Sequence, residues 1–306
     1  MTVILRTRNL SKMYKGKHSV SSVNMTIRQG EIYGFLGPNG AGKTTVMKMI
    51  TNLVKPTEGE IEFFGERMTS RSYEMLKRMG SIIEYPVFYD KLTARENLLL
   101  HGEYMGYYNR QAIDDVMELV KLTGVDKKPV KEFSLGMKQR LGIARAVMTK
   151  PELLILDEPI NGLDPVGIKE LRDVFRMLSR EYGMTLLISS HILGEIEQIA
   201  DTIGVIREGV LLEEMAMDSI LSRNTEYIEL VTRSVSKAVY VLEHKLHLSN
   251  FKVMDSGIIR IYDEGVSQHE LNKALVMEDV EIESISKNKH SLEDHFLSLI
   301  GGEGIA

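Results

Sequence analysis

Residues 37–44 read Gly37-Pro38-Asn39-Gly40-Ala41-Gly42-Lys43-Thr44, and this stretch limits the fold more than any other. Its form, G-x-x-x-x-G-K-[ST], belongs between a strand and a helix. Both flanks agree. Ile32-Tyr33-Gly34-Phe35-Leu36 is a short apolar run that reads as a buried strand, and Thr45-Val46-Met47-Lys48-Met49-Ile50 carries apolar residues at helical spacing. Glycines let successive backbone N–H groups turn toward an anion, and the helix N-terminus adds partial positive charge. Lys43 is then expected to reach the β- and γ-phosphates of a nucleoside triphosphate, with the Thr44 hydroxyl on Mg²⁺. An accidental glycine-rich turn has no reason to carry that strand and helix beside it.

At 306 residues the length favours about two domains. A net charge of -5 gives no basic footprint for nucleic acid, and zero cysteines exclude disulfides and cysteine–metal sites, which suits a reducing cytoplasm. No signal peptide is expected from Met1-Thr2-Val3-Ile4-Leu5-Arg6, and nowhere do 18 apolar residues run together. A membrane role must come through a partner.

Residues 3–10, 18–27 and 31–36 read as three strands feeding the loop, with Tyr14 in the connection between the first two. Turn residues 55–60 lead to a strand at 61–64, a short helix at 71–79 and a strand over Ser81-Ile82-Ile83-Glu84. From residue 85 to about 140 the texture is helical, after the aromatic loop Tyr85-Pro86-Val87-Phe88-Tyr89. Thr93-Ala94-Arg95-Glu96 opens one helix as a capping box, a second spans about 110–122, and Ser134 caps a third running to about Thr149. Tyr104, Tyr107 and Tyr108 either face a partner or cap this insertion's own core.

The strand Leu153-Leu154-Ile155-Leu156 ends in Asp157-Glu158-Pro159, and Thr185-Leu186-Leu187-Ile188-Ser189-Ser190 ends at His191. A helix at 192–200 and a strand at 202–207 follow. Short aliphatic strands between helices predict a largely parallel sheet covered on both faces, with ligands at the carboxyl ends of its strands. Glu84, Asp157, Glu158 and His191 all fall there. Asp157, after four aliphatics, suits Mg²⁺; Glu158 suits the polarisation of an attacking water; a lone strand-end histidine is more often structural. Residues 1–215 thus form one α/β domain. Residues 216–306 show the order strand, helix, strand, strand, helix, strand over 225–286, which is ferredoxin-like, plus a last helix at 291–300.

The phosphate loop, Phe133-Ser134-Leu135-Gly136-Met137, the 153–159 run, Gly162-Leu163-Asp164 and His191 together resemble the nucleotide-binding subunit of an ATP-binding cassette (ABC) transporter over residues 3–215. The resemblance implies a cassette with a mostly parallel sheet, an antiparallel β subdomain and a helical insertion, and two cassettes that sandwich ATP. It implies nucleotide binding by Tyr14, which stacks on adenine, by Gly37, Pro38, Asn39, Gly40, Ala41, Gly42, Lys43, Thr44 and Thr45, and by Ser134 and Gly136 of the other cassette. Thr44, Glu84 and Asp157 would hold Mg²⁺, Glu158 would be the general base, His191 the switch histidine, and Asp164 part of the loop that crosses the dimer. The other cassette is a second copy or a paralogue. The subunit itself would lie in the cytoplasm, on the inner face of the membrane, bound to an integral-membrane permease.

Two departures stand out. The family's Leu-Ser-Gly-Gly-Gln is Phe-Ser-Leu-Gly-Met here, and its loop glutamine is Glu84. Glu84 with the aromatic loop, and the tail Ser291-Leu292-Glu293-Asp294-His295-Phe296, are similar to bacitracin-resistance and lantibiotic-immunity exporters. A cassette ATPase without a permease, acting on translation or DNA, remains open, although this chain has one phosphate loop and no heptad run. A GTPase is disfavoured because Asn272-Lys273-Ala274-Leu275 lacks the guanine-reading aspartate.

Overall fold

A computed structural model describes residues 2–69, 71–125, 127–222, 226–254, 257–263 and 266–289, together with Phe296. The chain divides into two compact units, Met1–Met217 and Asp218–Ala306.

The first unit opens with β1 (Val3–Tyr14), β2 (Lys17–Val23), β3 (Thr26–Arg28) and β4 (Ile32–Leu36), then the loop 37–42 and helix α1 (Lys43–Ile50). After it come β5 (Glu58–Phe63), β6 (Glu66–Arg67), α2 (Tyr73–Leu76) and β7 (Met79–Ile82). Three helices, α3 (Ala94–Met105), α4 (Arg110–Leu119) and α5 (Leu135–Val147), precede β8 (Leu153–Leu156). The unit closes through α6 (Pro165–Arg180), β9 (Thr185–Ser190), α7 (Leu193–Glu197), β10 (Thr202–Arg207) and β11 (Val210–Ala216).

Six strands form the central sheet in the order β11-β10-β4-β9-β8-β7. All neighbours are parallel except the β10–β11 pair. Every residue of β4, β8 and β9 is buried, which is why these strands run apolar through their middles rather than alternating, with Thr185, Ser189 and Ser190 as the buried polar residues at the ends of β9. The register Leu36↔Ser190, Leu156↔Ile188 and Ile82↔Leu156 brings the carboxyl ends of β4, β9, β8 and β7 to one edge. An antiparallel sheet, β2-β1-β5-β6 with β3 on β1, shares a core with α1. There Ile4, Leu5 and Phe63 pack with Val46, Met47 and Ile50 over Phe35 and Leu187.

The sheet type, the helical insertion, the Thr93 capping box and the Ser134 cap agree with the sequence reading; some edges do not. β1 runs on to Tyr14, so Tyr14 ends a strand instead of sitting in a connection. The helix expected over 71–79 shrinks to one turn because Met79 is already the buried first residue of β7. Gly80 there approaches α5 so closely that a Cβ would lie 2.1 Å from the Ala146 carbonyl oxygen. Glu84 lies beyond the end of β7 rather than at it. β11 was not anticipated. It is an edge strand, and Leu211-Leu212-Glu213-Glu214 does not alternate cleanly.

The division falls at the start of α8 (Met217–Ser222), and the second unit goes on through β12 (Glu226–Thr232), α9 (Val235–Tyr240) with a π turn to Lys245, β13 (Phe251–Val253), β14 (Ile258–Ile261), α10 (Gln268–Met277) and β15 (Ile282–Lys289). The sheet order is β13-β14-β12-β15, with antiparallel neighbours throughout. That is the ferredoxin-like arrangement. Its core joins Ile228, Leu230, Ile259 and Ile261 of the sheet to Ala238, Leu242, Leu271 and Leu275 of the helices. The expected helix at 291–300 and the tail lie outside the described residues, Phe296 excepted.

Candidate active site

The phosphate loop is shaped by close backbone approach. A Cβ on Gly37 would sit 2.3 Å from the Ile206 carbonyl oxygen. Gly42, at φ +106°, holds a left-handed conformation, and a Cβ there would meet the Ser19 carbonyl oxygen at 2.8 Å. Around this turn Lys43 is buried, and its Nζ donates to the Gly37 oxygen at 2.6 Å and to the Pro38 oxygen at 3.2 Å. Lys43 itself opens α1, whose first-turn N–H groups have no partner within the helix and can bind an anion. Thr45 Oγ1 lies 3.2 Å from Ser19 Oγ, which ties the helix start to β2.

The ends of β7, β8 and β9 supply the rest. Thr44 Oγ1 donates to Asp157 Oδ2 at 2.8 Å, and Ser189 Oγ donates to Asp157 Oδ1 at 2.7 Å. Ser189 Oγ also accepts from the Glu158 N–H at 2.9 Å, so one buried hydroxyl fixes both acidic residues. Glu158 has φ +48°, a conformation that costs energy for a residue with a side chain and that clusters at working sites. Its Oε2 lies 2.9 Å from His191 Nδ1, the nitrogen that carries the proton against a carboxylate. Its Oε1 is buried 3.2 Å from Lys43 Nζ, yet it accepts no aligned hydrogen bond. The attraction between Lys43 and Glu158 is one of charge.

Glu84 is also held at positive φ, +63°, and its Oε1 is 2.6 Å from Lys48 Nζ. Tyr14 presents an exposed ring with Lys12 Nζ 5.1 Å from its centroid. Ser134 caps α5, accepting from the Met137 N–H at 3.3 Å. Together with Gly136, Met137, Leu163, Asp164 and Arg140 it lines a cleft of about 430 Å³ in which no phosphate-loop residue takes part. Asp164 caps α6 through the Gly167 N–H, and on the cleft wall Arg140 and Lys121 hold the Glu170 carboxyl below its ordinary range. Residues 37–45, Asp157, Glu158 and His191 therefore converge, Glu84 stands beside α1 on Lys48, Tyr14 ends β1 with its ring exposed, and Ser134 and Gly136 line a separate cleft.

Sequence reasoning missed Ser189, Ser19 and Lys48. Two serines closing an aliphatic strand were the available signal for Ser189, because a buried hydroxyl needs a partner.

Chemically the set can cradle a polyanion and neutralise it. The Thr44 hydroxyl and Asp157 carboxylate offer hard oxygens that fit Mg²⁺, which is bound by few protein ligands and completed by phosphate and water. Glu158, oriented by His191, can take a proton from water.

This combination of fold and site defines a P-loop ATP-binding cassette. The family model described as ABC transporter matches residues 20–161. The bacitracin transport ATP-binding protein BcrA of Bacillus licheniformis is 50% identical over 302 residues, covering 99% of each chain. The lantibiotic transport ATP-binding protein SrtF of Streptococcus pyogenes is 47% identical over 223 residues, 73% of this chain and 94% of its own. A solved structure described as the ATP binding subunit of an ABC transporter matches with a TM-score of 0.65 at 29% identity, covering 72% of this chain and 92% of its own. The chain belongs to the ATP-binding subunits of ABC transporters, ATPases whose hydrolysis is coupled to transport. Among the described residues no helix is long and apolar enough to cross a membrane.

Proposed function

We propose that this subunit hydrolyses Mg²⁺-ATP to drive a separate membrane permease that exports a peptide antibiotic of the bacitracin or lantibiotic kind. The near full-length likeness to a bacitracin transport protein carries the choice of cargo. Lys43 and the α1 N–H groups hold the β- and γ-phosphates, and Thr45 and the loop residues Gly37 to Gly42 line them. Thr44, Asp157 and Glu84 hold Mg²⁺, which when bound neutralises charge on the phosphate oxygens. Glu158 takes the proton of the attacking water, His191 holds Glu158 in place, and Tyr14 stacks on the adenine.

Ser134 and Gly136 act on the nucleotide of a second cassette, in keeping with their place in a separate cleft. The unit beyond residue 216 is an accessory domain. The subunit works in the cytoplasm, against the inner face of the membrane through its permease.

The test is deletion and complementation in the source cell. Loss of the gene lowers the tolerated concentration of the exported antibiotic, the intact gene restores it, and Glu158→Gln does not. Unchanged tolerance to bacitracin and to lantibiotics on deletion overturns the cargo reading. Retention of the protein in the soluble fraction, whether or not the permease is present, overturns the permease reading.

A further inference from the structure

Thr44 and Lys48 are four residues apart on α1, so their side chains share one face of the helix. Four residues rise about 6 Å along the axis. The Lys48 ammonium that grips Glu84 Oε1 at 2.6 Å is therefore one turn beyond the Thr44 hydroxyl, which contacts Asp157 Oδ2. Glu84 is brought to that helix by the end of β7, whose Ile82 carbonyl accepts from the Asp157 N–H at 2.9 Å. Its backbone is locally strained, at φ +63°.

A carboxylate beside phosphates and Asp157 is under repulsion that a neutral glutamine does not feel. Lys48 supplies the opposite charge within reach. We propose that Lys48 is a positioning residue for Glu84: it parks the carboxylate one helical turn from the metal-binding edge, and Glu84 must leave Lys48 to meet the metal. The cation thereby sets how much Mg²⁺ the subunit needs before nucleotide binds tightly. This rests on the reading of Glu84 as a metal ligand.

The full chain is titrated with MgCl₂ from EDTA in the presence of a fluorescent, non-hydrolysable ATP analogue, and the Mg²⁺ midpoint of nucleotide binding is read. Lys48→Met removes the competitor and lowers the midpoint about two- to fivefold, the scale of an exposed ion pair. Lys48→Arg keeps the wild-type midpoint. Glu84→Gln raises the midpoint, and adding Lys48→Met to it produces no further shift. Methionine is a good helix former, so α1 is kept, and Lys48→Gln serves as a second neutral variant.

If Glu84→Gln shifts the midpoint and Lys48→Met does not, the parking role is wrong while the metal reading stands. An equal shift from Lys48→Met with Glu84 or Gln at position 84 makes Lys48 a diffuse charge and also overturns the proposal. An unchanged midpoint in Glu84→Gln alone fails the metal reading itself, and the inference falls with it.

Discussion

Lys43 Nζ stands 3.2 Å from Glu158 Oε1, so the cation proposed to meet phosphate and the carboxylate proposed as base face each other across the loop. Lys43 has three protons to donate, and two already go to the Gly37 and Pro38 oxygens. On the proposed reading a triphosphate competes for all three. When Lys43 turns to the phosphates, Glu158 Oε1, which already accepts no aligned hydrogen bond, loses its charge partner as well, and on the proposed reading a water molecule takes that place. His191 keeps the other oxygen occupied, so the free lone pair points one way.

Glu158→Gln tests that division. The amide keeps the shape and loses the proton acceptor, so ATP turnover falls about 10² to 10⁴-fold, the usual worth of a positioned base. ATP binding persists, and an ATP-dependent dimer accumulates in analytical ultracentrifugation. Turnover at the wild-type rate removes Glu158 from the role.

Ser189→Ala examines a residue that merely supports the site. The change leaves Asp157 Oδ1 and the Glu158 N–H without their shared hydroxyl in a fully buried position. Such loss costs about 1–3 kcal/mol, which lowers the melting temperature of the nucleotide-binding unit by roughly 2–10 °C. Calorimetry on the full chain reads it, and an unchanged melt means that water replaces the hydroxyl without cost.

The phosphate loop, Asp157 and Glu158 were legible because each is a contiguous pattern whose neighbours, an aliphatic strand and a helix, are contiguous too. Ser189 was not. Its function depends on β8 and β9 lying side by side, which places residue 189 against residues 157 and 158. The Lys48–Glu84 pair depends on a backbone bend at residue 84 that local spacing does not encode. Ser134 read correctly as a cap, while its distance from the phosphate loop is a property of the folded insertion alone.

Acid stability is expected to depend on His101 in α3. Burial, with the Arg145 charge beside it, lowers its pKa from 6.5 to about 4. The folded state therefore holds the ring neutral, while the unfolded chain takes up a proton below about pH 6.5. The stability from this group is full above pH 6.5 and is lost as pH falls toward 4. His101→Leu flattens the melting-temperature profile across that window. If wild type and variant profiles run parallel there, His101 does not contribute.

If the subunit drives a permease as proposed, the exposed aromatic loop after Glu84 is the surface expected to receive it. Tyr85, Val87 and Tyr89 are exposed apolar side chains, with Val87 at 78%. Phe88 is half-buried under the Arg145 guanidinium, 4.8 Å above its ring, and Arg145 Nη1 donates to the Val87 oxygen at 2.7 Å. Arg145 thus braces the loop against α5 while its neighbours face solvent. Val87→Asp puts a charge on that outer face without touching the phosphate loop, Asp157 or Glu158. Nucleotide affinity of the purified subunit stays within twofold, antibiotic tolerance in cells falls to the level of the deletion, and the subunit leaves the membrane fraction. Arg145→Ala frees the loop from within and gives the same loss in cells. Full tolerance in the Val87→Asp strain would show that the permease docks elsewhere.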